Sequence, residues 1–582
     1  MKNIYLLFAF VFVCGCSPAE QPPTDTTSAD STVSDGGWNK GGMATAANPH
    51  AVAAAIEMLE KGGHAVDAAI AAHAVLGLVE PQSSGLGGGG FMLVFERKGG
   101  ELTFHEGREV APGGATIDMF MRDGVVMDFF ESWQSGKSVG VPGAVALYES
   151  AHEQHGRLPW AEVFEPAIRL ATNGFEVSPR LAGYLPMMAQ RSELAKNPAT
   201  AAYFYPGGEP LEAGHLLKNP EYANTLSRIA SEGIDAFYKG EIAEAIAAAA
   251  QAEPNGGTLT AEDISNYEAV KRPVICGAFR RVSICTSSPP SSGGAQIMIA
   301  GLYDHLSADA TSQEDKVAAF VDAQRLAYAD RDHYFGDPDE IDIPLDDLLH
   351  PEYIKHRATE RIDPGAVPTP GDPGLVLHQD AAASMWAPDT TEEASGTTHL
   401  SVIDSDGNAV SMTATVEAPF GSSRWAAGFL LNNEMTDFAR EVPTDGTRVA
   451  NAITPGRRPR SSMSPSMIFD SDGGLLMVTG SPGGNSIPAY VGKTIVGVLD
   501  WGMSAQEAVD HPNIVARGEM VRVEISVDPG QAIADDLKER GYNVQEREGE
   551  NSGLHIIVVG DDSLDGAADK RREGIVAVPV SN

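Results

Sequence analysis

Apolar, Ala-rich stretches alternate with short strand-like runs and Gly/Pro loops along the first half of the chain, and those at Pro49 to Glu60, Ala65 to Val79 and Ala144 to His155 predict helices. Amphipathic stretches recur at Tyr222 to Glu232 and Glu314 to Ala329, while Phe91 to Phe95 reads as a strand. Beyond position 397 the pattern changes to strands. Leu400 and Val402 alternate with Ser401 and Ile403, Ser405-Asp406-Gly407-Asn408 reads as a hairpin turn, and Ala409 to Val416 returns. Further apolar runs lie at Ser466 to Phe469, Leu475 to Thr479 and His555 to Val559, and no internal repeat is present. Helices and short strands with Gly/Pro loops, followed by a strand-rich last third, make a mixed α/β chain.

At 582 residues and 42% hydrophobic content the chain can bury a large core. Its 41 basic and 80 acidic residues give a net charge of −39, which argues against nucleic acid and against electrostatic binding to anionic lipid. The start is different in kind: Lys2 precedes an apolar run from Ile4 to Val13, too short to span a membrane and suited to export toward the periplasm or outside. Val13-Cys14-Gly15-Cys16 is similar to a lipobox, which makes Cys16 a candidate for lipidation, with ordinary signal-peptidase cleavage as the alternative. Residues 17–40 read as a disordered tether rich in Ser, Thr, Pro and Asp. An exported location permits a disulfide between Cys276 and Cys285, which sit in VICGAFRRVSIC, two short strands about a turn. No Cys/His set has zinc spacing, so no metal is expected.

The chemistry concentrates at Gly396-Thr397-Thr398-His399. A threonine hydroxyl is a poor nucleophile until a base takes its proton, and a free α-amine, with a pKa of roughly 7.7 to 8.0, suits that task near neutrality. Cleavage before Thr397 would give one residue both groups. A two-residue Asp406-Gly407 loop would set Thr415 opposite Thr398, its hydroxyl near the new amine. An ordinary Thr-rich strand is the competing reading, since strands favour Thr.

Distant segments bear on that choice. Gly85 to Gly90 joins the helix ending at Val79 to the strand at Phe91, and with no Lys-Ser/Thr following, it is not a phosphate loop. Then come Arg108-Glu109-Val110-Ala111-Pro112, Gly140-Val141-Pro142-Gly143, Pro289 to Gly294, Asn432 to Phe438, Arg458 to Pro465 and Gly480 to Asn485. In this order, around the Thr-Thr-His junction, these segments resemble the γ-glutamyltranspeptidase family from about Gly41 to Gly574.

The resemblance implies the αββα four-layer sandwich of N-terminal nucleophile hydrolases, with no cofactor. It implies self-cleavage into a large subunit, 41–396, and a small catalytic subunit, 397–582, that stay together as a heterodimer. Thr397 matches the nucleophile, Gly396 the last residue of the large subunit, and Thr415 the hydroxyl that holds the α-amine. Gly483 and Gly484 match an oxyanion hole of backbone N–H groups. Arg108, Ser461 and Ser462 match the clamp on the substrate α-carboxylate, and Glu434 and Asp437 the acids that take its ammonium. The implied substrates are glutathione and other γ-glutamyl compounds, whose acyl group passes to water or to an amine.

Two departures stand out. Glu417 occupies a position where many members have Asn, and the stretch from Asp437 to Ser461 is short, with no aromatic beyond Phe438 to close a lid. A glutaryl-type β-lactam acylase of the same fold, and a non-catalytic lipid-anchored binding protein on this scaffold, are the alternatives.

Overall fold

A computed structural model describes residue 1 and residues 38–360, 362–379, 386–389, 391–441, 443 and 446–580. The leader, Cys16 and residues 17–37 of the expected tether lie outside the described residues.

Two antiparallel sheets lie face to face between helical layers. The larger has seven strands in the order Ile575–Ala577, Met43–Ala46, Thr397–Ile403, Ala409–Thr415, Gly89–Glu96, Glu101–Gly107 and Val270–Arg272. The second has six: Leu564–Ala568, His555–Val559, Leu475–Thr479, Ser466–Phe469, Val282–Ser287 and Val274–Phe279. Leu400, Val402, Val410 and Met412 turn outward onto the helices Pro49–Glu60, Ala65–Val79 and Ala144–His155 in one large apolar cluster. Phe91, Leu93 and Phe95 turn inward, joining the second sheet and the helices Gly293–Leu306, Gln313–Tyr334 and Ile487–Leu499 in another. This is the αββα sandwich.

Burial on both faces explains why Thr397–Ile403 and Ala409–Thr415 are buried at every position. Ser401 and Ser411 face the second sheet, where Ser401 Oγ donates to the His555 carbonyl at 2.8 Å and Ser411 Oγ to that of Thr479 at 3.0 Å. A buried hydroxyl with such a partner avoids the desolvation penalty of an unpaired one.

The helices expected at Pro49, Ala65 and Ala144 have the expected bounds, whereas the one expected from Glu314 to Ala329 extends over Gln313–Tyr334. The hairpin register differs from expectation. Ile403 pairs with Ala409, so Thr415 stands opposite Thr397 and not Thr398. The cause is a five-residue turn in place of the two-residue loop: the Asp404 carboxylate accepts from the N–H groups of Asp406 at 2.9 Å and Asn408 at 3.0 Å, and Gly407 takes a left-handed φ of 84°. Cys276 and Cys285 are cross-strand partners joined by a disulfide, Cα–Cα 4.1 Å.

Candidate active site

Thr397 begins a central strand and pairs with Thr415 on one side, while the ladder on the other side starts only at Leu400. Its hydroxyl lies 3.1 Å from that of Thr415, and the Arg572 guanidinium donates to its carbonyl at 2.8 Å. Thr415 is held in turn, its Oγ1 accepting from the Glu417 N–H at 2.8 Å. His399 does not compete for the role of base. Its ring is taken up by Thr413 Oγ1 at 2.9 Å and Ser401 Oγ at 3.1 Å, and burial, reinforced by His555, holds its pKa far below the ordinary value.

Gly396 precedes Thr397 in a confined place. Its N–H donates to the Glu417 carbonyl at 2.7 Å, and a β-carbon there would lie 2.3 Å from that oxygen. Gly483 and Gly484 open the short turn 484–486 that leads into the helix Ile487–Leu499, so their N–H groups belong to a helix start with no internal acceptors. A β-carbon on Gly484 would lie 2.4 Å from the Glu393 carbonyl and 2.6 Å from that of Ala394. The segment before Thr397 therefore passes directly against Gly484.

Thr397, Thr415, Arg108, Glu417, Glu434, Asp437, Ser461, Ser462 and Gly484 all line one cavity, with Glu393 and Ala394 as part of its wall. Only about 10 Å³ is left inside it. Sequence reasoning thus selected residues that the fold brings together from widely separated segments. Their pairing differs from the simple division into a carboxylate end and an ammonium end. The buried Arg108 guanidinium donates to Glu434, to Asp437 Oδ2 at 2.7 Å, and to the carbonyls of Pro459 at 3.2 Å and Arg460 at 2.8 Å. Ser462 faces a different cation: its hydroxyl accepts from Arg331 at 2.6 Å, and its N–H donates to Glu393 at 2.8 Å.

Charge in the cavity is unbalanced. Glu109, Glu434 and Asp437 crowd around Arg108, and Glu417 adds a fourth carboxyl beside Glu434 and Asp437. Burial pushes Glu109 up to about 7 and Glu434, Asp437 and Glu417 well above the usual carboxylate range, although Arg108 opposes the shift in the first three. Burial disfavours the charge on Arg108 too, but its acidic neighbours outweigh that and secure it. Glu417 takes the Ala394 N–H at 2.5 Å and the Asn433 side-chain amide, at a left-handed φ of 76°. One guanidinium among four carboxyls means that the cluster keeps protons near neutrality. It is a site short of positive charge.

Sequence reasoning missed Glu109, Arg331, Glu393, Asn433 and Arg572. Glu109 and Asn433 lie inside motifs already singled out. Glu393 is ion-paired to Arg331 at 2.5 Å, which keeps its carboxyl below the usual range despite burial. Arg331 sits on a helix whose sequence reads as amphipathic, and nothing in that pattern marks it as buried.

A family model described as gamma-glutamyltranspeptidase matches residues 51–578. The glutathione hydrolase proenzyme of Escherichia coli (strain K12) is 37% identical over 545 residues, covering 91% of this chain and 90% of its own. The acylase ACY 1 proenzyme of Pseudomonas sp. (strain V22) is 33% identical over 546 residues, 92% of each chain. Among solved structures, the cephalosporin acylase from Bacillus halodurans aligns with a TM-score of 0.81 at 26% identity, covering 93% of this chain and 96% of its own.

Proposed function

The chain belongs to the γ-glutamyltranspeptidase family, and we propose that it is a proenzyme whose Thr397, freed by self-cleavage, moves γ-glutamyl groups from glutathione and related compounds to water or an amine. The observation that carries this reading is the 3.1 Å contact between the Thr397 and Thr415 hydroxyls at the edge of a cavity built for an amino acid head group.

In the first step the Thr397 hydroxyl attacks the Gly396 carbonyl. A C–O bond forms, the Gly396–Thr397 C–N bond breaks, and the nitrogen takes a proton to become the α-amine. Water then hydrolyses the ester, leaving the large subunit, ending at Gly396, bound to the small one. With Glu393 and Ala394 withdrawn, the cavity they close becomes free.

In turnover the α-amine takes the hydroxyl proton as Oγ1 bonds to the γ-carbonyl carbon, and the oxyanion faces the N–H groups of Gly483 and Gly484. The C–N bond breaks, the amine leaves with that proton, and water or an acceptor amine resolves the acyl-enzyme. Arg108, Ser461 and Ser462 serve the substrate α-carboxylate, and Glu434, Asp437 and Glu417 its ammonium. That ammonium supplies the positive charge which the carboxyl cluster lacks.

Similarity to cephalosporin acylase supports a second reading, removal of a glutaryl-type group from a β-lactam nucleus. A glutaryl group has no ammonium for the carboxyl cluster to meet, which favours the first. Relative kcat/KM on γ-glutamyl and glutaryl anilides tests the choice: the γ-glutamyl donor should lead, and a glutaryl preference would reverse the assignment. Export with lipidation at Cys16 remains part of the proposal, and Cys16→Ser should move the protein out of the membrane fraction of a bacterial host. Equal soluble recovery of both forms would favour ordinary secretion. Among the described residues no helix is long and apolar enough to cross a membrane.

A further inference from the structure

A cleft of about 880 Å³ adjoins the closed cavity and shares Glu393 and Ala394 with it as a wall. Its volume lies at the upper end of the range for small-ligand sites, about 300–1,000 Å³. Glu393 to Ser395 and Gly483 line it, whereas Arg108, Glu434 and Asp437 do not, so it lies beside the glycine pair and outside the cavity that holds the carboxyl cluster. In a chain of net charge −39, four arginines line this one cleft: Arg440, Arg517, Arg522 and Arg547.

They are not equally engaged. Arg517 is committed to Asp332 at 2.8 Å and to the Thr391 carbonyl at 3.2 Å. Arg440 lies over the Phe129 ring at 5.1 Å, and its Nε has no hydrogen-bond partner among the described residues. Arg522 donates to Ser486 Oγ at 2.5 Å, with its Nε 3.3 Å from Glu550, and Arg547 is exposed. The acids in the wall are Glu392, Glu393 and Glu550. Two of these belong to the segment that self-cleavage releases, and Glu393 is already ion-paired to Arg331. Once that segment withdraws, Arg440, Arg522 and Arg547 face Glu550 alone, and the cleft is cationic.

Resting on the transfer reading above, we propose that this cleft is the subsite for the leaving group and the acceptor, and that it selects acidic peptides carrying more than one carboxylate. As the donor γ-carbonyl C–N bond breaks, the departing amine takes the proton abstracted from Thr397, and the acidic peptide it heads lies along the arginines. Transfer reverses these bond changes: an acidic peptide enters, its amine gives up a proton, and the new C–N bond displaces the Thr397 oxygen. The arginines touch neither the reacting carbon nor the glutamyl head group. They act through the affinity of the chain beyond the scissile bond and through its rate of arrival, both sensitive to salt.

Two donors of equal length test this, γ-glutamyl-glutamyl-glutamate and γ-glutamyl-glutaminyl-glutamine, with kcat/KM measured for the cut wild type, Arg547→Gln and the double variant Arg522→Gln/Arg547→Gln. The wild type should favour the acidic donor by roughly tenfold at low salt, and the preference should shrink with added salt and fall about fivefold in the double variant. Arg547 is exposed, so its single variant keeps the test valid if the double one folds poorly. A wild-type ratio near one, or a preference that survives both salt and substitution, overturns the subsite while leaving γ-glutamyl transfer intact. A correctly cut chain that turns over neither donor overturns the transfer reading and the subsite with it.

Discussion

Gly396 lies against Glu417 so closely that a β-carbon would come within 2.3 Å of the Glu417 carbonyl oxygen, the same oxygen that accepts the Gly396 N–H at 2.7 Å. That contact orients the peptide bond ahead of Thr397. Gly396→Ala should therefore displace the carbonyl from the Thr397 hydroxyl and slow self-cleavage by a factor on the order of 100, the loss expected for a misplacement of about 1 Å. The measurement is the fraction cut against time on a denaturing gel. Processing at the wild-type rate would show that the contact does not set the geometry.

Arg108 is held by two carboxylates and two carbonyls. Lysine in its place keeps the charge but cannot reach all four acceptors in one plane. Arg108→Lys should raise KM for a γ-glutamyl donor about tenfold or more with a smaller change in kcat, and should lower thermal stability because buried acceptors lose their donors. An unchanged KM in a folded variant would assign Arg108 to structure alone.

Glu109 gives a pH dependence. Burial raises its folded pKa from 4.5 to about 7, with Arg108 opposing and Asp437 adding to the shift. A carboxyl raised on folding stabilises the native state fully below its unfolded pKa, and that stability is lost as pH rises through the folded value. The window is therefore about pH 4.5 to 7, and the loss above it is on the order of 3 kcal/mol. Glu109→Gln, which does not titrate, should flatten the fall in Tm between pH 5 and pH 8. Parallel profiles for the two proteins would contradict the assignment.

The strands and helices around the junction were legible because their apolar runs are long and bounded by turn residues, as at Ala65–Val79 and Ala409–Thr415. The register was not, because a side-chain cap from Asp404 lengthens the turn and leaves the same Asp-Gly pair in sequence. The cavity members were legible as motifs in order, but their pairing was not. Arg331 and Glu393 meet across 62 residues, and no periodicity links them. Glu417 reads in sequence as a substituted Asn, whereas the fold gives it Ala394 and Asn433 as partners.

The central claim is that Thr397 is the residue that carries the acyl group. The most direct measurement is mass spectrometry of the cut protein quenched during turnover of a γ-glutamyl donor, with fragmentation to locate the label. The account predicts a small subunit that begins at Thr397 and carries one γ-glutamyl group on that residue, with no label and no cleavage in Thr397→Ala. A small subunit beginning at another residue, or a label on any other side chain, would contradict it.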